Sequence, residues 1–154
     1  MVACGDADGA VTGNTRRFGA SLEKIKQVVS VRKGEIMFGL NMVVHKGKTI
    51  FIGDTSVHEY PTSEQLAEIA VSTARVVRLF GFDPKVAFVS HSTFGQPLTS
   101  RTKHIREAVE ILKEKEVDFE FDGDMQPDVA LSQEYEELYP VSYTHLTLPT
   151  STHG

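Results

Sequence analysis

From Thr49 to Phe121 the chain alternates between short apolar runs and amphipathic stretches, and this alternation restricts the available folds more than any other feature of the sequence. Thr49 to Ile52, Val86 to Val89 and Val117 to Phe121 have strand length and are rich in β-branched and aromatic residues. Between them the apolar residues recur at three and four. Leu66, Ile69, Ala70, Thr73, Val77 and Phe80 mark the buried stripe of one helix, and Ile105, Ala108, Val109 and Leu112 that of the next. Strand, helix, strand, helix, strand implies right-handed crossovers and a mostly parallel sheet covered by helices.

Local signals set the boundaries. Thr62 before Ser63, with Gln65 three residues on, predicts a capping box, while Gly81 and Pro84 supply the stop. Ile36 to Val44 and Thr49 to Ile52 flank His45-Lys46-Gly47-Lys48, whose glycine suits a tight turn, so an antiparallel hairpin is expected there. Upstream, Phe18, Leu22, Ile25, Val28 and Val29 predict a helix, and Asp8-Gly9-Ala10-Val11 a short strand before it.

Composition excludes several functions. With 154 residues, 40% hydrophobic and 24% charged, the chain suits one soluble domain. A formal net charge of -5 speaks against a surface that neutralises a nucleic-acid backbone. No run approaches the roughly 20 apolar residues that cross a bilayer, and residues 1–11 lack a signal-like stretch, so a cytoplasmic protein with no membrane partner is expected. Cys4 is the single cysteine, which rules out an intrachain disulfide and a cysteine-only zinc site and fits a reducing compartment. Val141 to Gly154 contains no Asp, Glu, Lys or Arg; this segment is read as a non-native, unstructured tail, leaving residues 1–140 as the domain.

The strand at Val86–Val89 breaks directly into Ser90-His91-Ser92-Thr93-Phe94-Gly95. In open α/β sheets ligands bind just past the carboxyl ends of the strands, so this loop is a candidate cradle for a phosphate or acyl group; equally, its hydroxyls can satisfy their own backbone. Asp54, Asp122 and Asp124 follow the neighbouring strands, where carboxylates can converge on a divalent metal, position a base, or cap turns. Arg16, Arg17 and Arg101 can clamp a phosphate or simply be solvated. His45, His58 and Cys4 lack metal-ligand spacing and read as surface or turn residues. The Gly-x-Ser-x-Gly elbow, the Gly-x-Gly-x-x-Gly fingerprint and the P-loop are all absent, which removes their arguments for a serine hydrolase, a dinucleotide or a nucleoside triphosphate.

In order and spacing, Asp8-Gly9, Thr12-Gly13, Gly53-Asp54-Thr55, Pro61 to Ile69, Val89 to Gly95 and Asp122-Gly123-Asp124 resemble the phosphate acetyl/butyryltransferase family over residues 5–139. Within it, Ser-His-Ser-x-Phe-Gly is most similar to the C-terminal domain of bacterial NADP-dependent malic enzymes. The resemblance implies a truncated three-layer α/β/α fold like that of isocitrate dehydrogenase. Authentic members move an acetyl group between phosphate and the thiol of coenzyme A: arginines hold the phosphate while the thiolate attacks the carbonyl. It also implies that Ser90, His91, Ser92, Thr93, Gly95, Asp54, Asp122 and Asp124 face acetyl-CoA or phosphate. Glu23 stands where active transferases carry an arginine, and a carboxylate there repels acetyl phosphate. The family's downstream Ser-Arg segment has no counterpart before Pro140. The implied role is that of a regulatory fragment which binds acetyl-CoA and mediates homo-oligomer contacts without acyl transfer, with NADP and divalent metal confined to a malic enzyme domain outside it. An active phosphate acetyltransferase and a purely structural oligomerisation domain are the alternatives.

Overall fold

The computed structural model describes residues 2–13, 15–92 and 99–132. The chain divides into two compact units, Met1–Ile36 and Met37–Gly154. The tail read from Val141 onward and residues 93–98 of the polar loop lie outside the described residues.

The first unit holds a short 3-10 turn, Val2–Cys4, and helix α1, Phe18–Val28. The helix forms where its apolar spacing predicts, yet none of its residues is buried, and Arg17 at its N-cap makes no side-chain cap bond. The strand expected at Asp8–Val11 does not form. A strand persists only where its backbone groups find a partner, and Val11 stands fully exposed.

In the second unit, β1 (Leu40–His45) and β2 (Lys48–Gly53) form the expected hairpin, with Leu40 opposite Gly53 and His45 opposite Lys48. Lys46 and Gly47 both have positive φ, 47° and 78°, as a two-residue turn matched to strand twist requires. The first strand starts at Leu40 instead of Ile36 because β2 ends at Gly53, after which Asp54 leads the chain into a turn and leaves residues 36–39 without a strand opposite them.

Helix α2, Ser63–Leu79, opens on the Thr62–Gln65 capping box and closes at Gly81, whose φ is 82°. It buries Ala67, Ile69, Ala70, Ala74 and Val77. Strand β3, Lys85–Val89, pairs in parallel with β4, Glu120–Met125, and the crossover between them carries helix α3, Ser100–Glu114. A second capping box, Thr99 with Thr102, starts α3.

The strand predicted at Val117–Phe121 is displaced: it begins at Glu120, opposite Lys85, and runs on to Met125, so Asp122-Gly123-Asp124 lies inside the strand and not in a loop after it. Pairing explains the shift, since Ala87, Phe88 and Val89 take Asp122, Gly123 and Met125 as partners. Gly123 is needed opposite Phe88: a Cβ there would stand 2.6 Å from the Phe88 Cβ.

Phe88 meets Ala67, Ala70, Ala108, Val109 and Leu112 on one face of the parallel pair, with Val86, Phe119 and Phe121 packed against them. Ala87 instead joins Met125, Val129 and Ala130, the last two from the short helix α4, Pro127–Leu131. Alternation along the strands thus places α2 and α3 on one face and α4 on the other, the α/β/α layering expected from the sequence. Among the described residues the strands form two two-stranded sheets, the antiparallel hairpin and the parallel pair.

Candidate functional site

The carboxyl ends of β3 and β4 are tied together by a compact set of hydrogen bonds. Ser90 N–H donates to the Met125 carbonyl at 2.9 Å, continuing the ladder one residue past β3. The Ser90 hydroxyl lies 3.4 Å from Asp124 Oδ2 and 3.1 Å from Ser92 Oγ, and accepts from Ser92 N–H at 2.9 Å. The Ser92 hydroxyl donates to Asp124 Oδ2, and both residues are completely buried. Gln126 Nε2 donates to the His91 carbonyl at 3.1 Å. His91 itself is exposed.

This arrangement revises the predicted roles. The sequence places Ser90, Ser92 and Asp124 among ligand-facing groups; the structure brings them together but turns them on one another. A completely buried carboxylate that accepts hydroxyl donors is a framing element, because burial keeps it from meeting a ligand directly. Of the described loop residues, His91 alone presents its side chain to solvent. Thr93 and Gly95 lie outside the described residues.

Asp54 has another task. Its Oδ1 accepts from the N–H groups of Gly39, Ser56 and Val57 at 3.3, 3.1 and 2.9 Å. Its Oδ2 accepts from His58 N–H at 3.1 Å and stands 2.6 Å from His58 Nδ1. Burial alone would raise the carboxyl's pKa, but the hydrogen bonds from Val57, His58, Ser56 and Gly39 together outweigh it and hold the pKa below the ordinary value. Asp54 therefore folds residues 54–58 into a turn around itself. His58, expected as a surface or turn residue, is part of that turn; only the i, i+4 spacing of Asp54 and His58 after Gly53 hints at its bond to the carboxylate.

Asp122 is half-buried, and desolvation raises its pKa to about 6 despite its bond from Gly123 N–H and the field of Lys113. Among the described residues no group of three or more His, Cys, Asp and Glu side chains gathers to hold a metal ion, so Asp54, Asp122 and Asp124 do not converge as a joint cation site. Their hydrogen bonds explain why: Asp54 is used within its own turn, and Asp124 by the serines.

Glu23 projects from α1 with an exposed side chain, 3.8 Å from Lys26. Arg16 and Arg17 are exposed in the same unit, and Arg101 falls in the first turn of α3. His45 ends β1 and is exposed. Gln126 and the Met125 carbonyl were not identifiable from sequence, since their role arises only from the β3–β4 register.

A groove of about 590 Å³ runs between β2, α2 and β3, floored mainly by Ile50, Ile52, Ile69, Val86 and Phe88 and reaching Asp54 and Thr55 at one end. Its size is ordinary for a ligand pocket.

In layered α/β units, ligands commonly bind past the carboxyl ends of the strands. The family profile described as phosphate acetyl/butaryl transferase matches residues 1–143, and the chain belongs to that family. It is 44% identical over 140 residues to an NADP-dependent malic enzyme of Rhizobium meliloti, covering 91% of this chain and 18% of that one. It is 33% identical over 135 residues to a phosphate acetyltransferase of Nitratidesulfovibrio vulgaris, covering 87% and 19%. Among solved structures, a phosphotransacetylase from Streptococcus pyogenes superposes with a TM-score of 0.77 at 30% identity, covering 90% of this chain and 43% of that one. The chain thus spans less than a fifth of the length of these curated relatives. No helix among the described residues is long and apolar enough to cross a membrane.

Proposed function

We propose that this chain is part of the phosphotransacetylase-like domain of an NADP-dependent malic enzyme, and that it binds acetyl-CoA as a regulatory ligand without transferring the acetyl group. The observation that carries this reading is the strand-end loop: Ser90 and Ser92 are bound to buried Asp124, so the site has a rigid, polar rim but no free serine hydroxyl in its described part. Such a rim suits recognition. Acyl transfer needs fixed cations around the phosphate, and Glu23 places a carboxylate where the resemblance calls for an arginine. Greater identity to a malic enzyme than to a phosphate acetyltransferase, 44% against 33%, supports the same assignment.

In this reading the domain is cytoplasmic and homo-oligomeric, and acetyl-CoA acts by binding two quaternary states unequally, because a ligand without differential affinity shifts no equilibrium. NADP and the divalent metal belong to a part of the protein beyond these residues. The test is calorimetric titration of acetyl-CoA into the full-length gene product, together with an assay of acetyl phosphate formation from acetyl-CoA and phosphate. Saturable binding with no acetyl phosphate formed is expected. Acetyl phosphate production would establish the active transferase instead, and assembly with no acetyl-CoA binding would leave a structural domain.

A further inference from the structure

We infer that Asp124 is a positioning residue: from inside the sheet it fixes Ser90 and Ser92, so that the loop presents the His91 imidazole to the ligand's anionic phosphate groups. The inference rests on the acetyl-CoA reading above and names the residue through which that site is organised. Three observations carry it.

First, Asp124 and Ser92 are both completely buried, so neither meets a ligand directly, and the contact between them crosses 32 residues of sequence to join β4 to the end of β3. Second, the backbone on either side of the contact is held by further bonds, Ser90 N–H to the Met125 carbonyl at 2.9 Å and Gln126 Nε2 to the His91 carbonyl at 3.1 Å. Third, His91 lies between the two anchored serines, with its own side chain exposed and no hydrogen-bond or ion-pair partner among the described residues. A residue whose main chain is clamped on both sides while its imidazole faces solvent has already lost most of the freedom that binding would cost, which is what preorganisation means at a ligand site.

Asparagine at position 124 keeps the volume and one acceptor oxygen, but both serine hydroxyls reach the same carboxylate oxygen, Oδ2, and without the charge those bonds fall to roughly half their strength. The experiment measures acetyl-CoA affinity and thermal midpoint for the wild-type full-length protein and for Asp124→Asn, Ser92→Ala, Ser92→Thr, His91→Ala and Ser63→Ala. Ser63 is an internal control: it is buried and donates to Glu107 Oε2 at 2.7 Å, between α2 and α3. Asp124→Asn, Ser92→Ala and His91→Ala should each weaken binding roughly tenfold. Ser92→Thr, which keeps the hydroxyl, should restore affinity, and the Asp124→Asn, Ser92→Ala double variant should bind no worse than either single one, since both break the same link. Ser63→Ala should lower the midpoint while leaving affinity unchanged.

Wild-type affinity in Asp124→Asn and Ser92→Ala would overturn the positioning role while leaving acetyl-CoA recognition intact. So would an equal loss in Ser63→Ala, because affinity would then follow stability alone. Absence of acetyl-CoA binding in the wild type would instead defeat the functional reading itself.

Discussion

Two aspartates that look alike in the sequence behave oppositely in the fold, and their pH responses separate them. Asp54 is held in its charged form by convergent N–H groups, so its folded pKa lies below the ordinary carboxylate value of 3.8. Its contribution to stability is complete above that value and is lost as pH falls through the folded pKa. Asp122 is pushed up to about 6, so its stabilising contribution is complete below 3.8 and is lost as pH rises through about 6. Asp54→Asn should therefore cost about 2 kcal/mol at neutral pH, because the amide leaves several N–H donors without acceptors, and should weaken the acid dependence of unfolding. Asp122→Asn should instead gain about 1 kcal/mol at pH 8, after allowance for solvent around a half-buried group, and should flatten the stability profile between pH 4 and pH 6.5. Urea unfolding across that range checks both; a destabilised Asp122→Asn at pH 8 would show that its carboxylate is held by a partner and not strained by burial.

Among the elements, those written in local chemistry were legible and those set by pairing were not. Thr62 with Gln65, Gly47 in its turn and Gly81 before Pro84 each act on neighbours within a few residues, so α2 and the hairpin could be read directly from the chain. The limits of β4 depend on β3, 35 residues away in register, and nothing near Val117 reveals that Glu120 will face Lys85. The same applies to the site: Ser90 to Ser92 could be placed at a strand end, but the use of their hydroxyls by Asp124 follows from long-range packing. Two tests belong at this scale. Thr62→Ala removes a cap acceptor on an exposed side chain and should cost about 1 kcal/mol, measured by thermal unfolding. Gly53→Ala places a Cβ 2.6 Å from Thr73 Oγ1, a buried hydroxyl without a hydrogen-bond partner among the described residues, and should destabilise by about 1 to 3 kcal/mol. Adding Thr73→Ala should recover most of that loss, whereas additive losses would show that the helix–strand approach is limited elsewhere.

At the scale of the molecule, the distribution of burial decides which parts are stable together. The second unit owns the core: Ala67, Ala108 and Leu112 are wholly removed from solvent, and α2, α3 and the parallel pair share them. In the first unit, α1 has the right periodicity yet buries no residue, leaving Phe18 and Val28 at 55% and 66% exposure. A single helix of 11 residues without a packed face lies below the length at which helices persist in water. Hydrogen exchange on the 154-residue chain should therefore show α1 amides exchanging at close to unprotected rates while those of α2 and α3 exchange only on global unfolding. The apolar residues of α1, with Met42 and Val44 on β1, also offer surface that favours association, so the isolated chain should show concentration-dependent self-association in sedimentation velocity. Strong protection in α1 of a monodisperse monomer would contradict both expectations, because it would require the helix to find within this chain the cover that its stripe lacks in the structure.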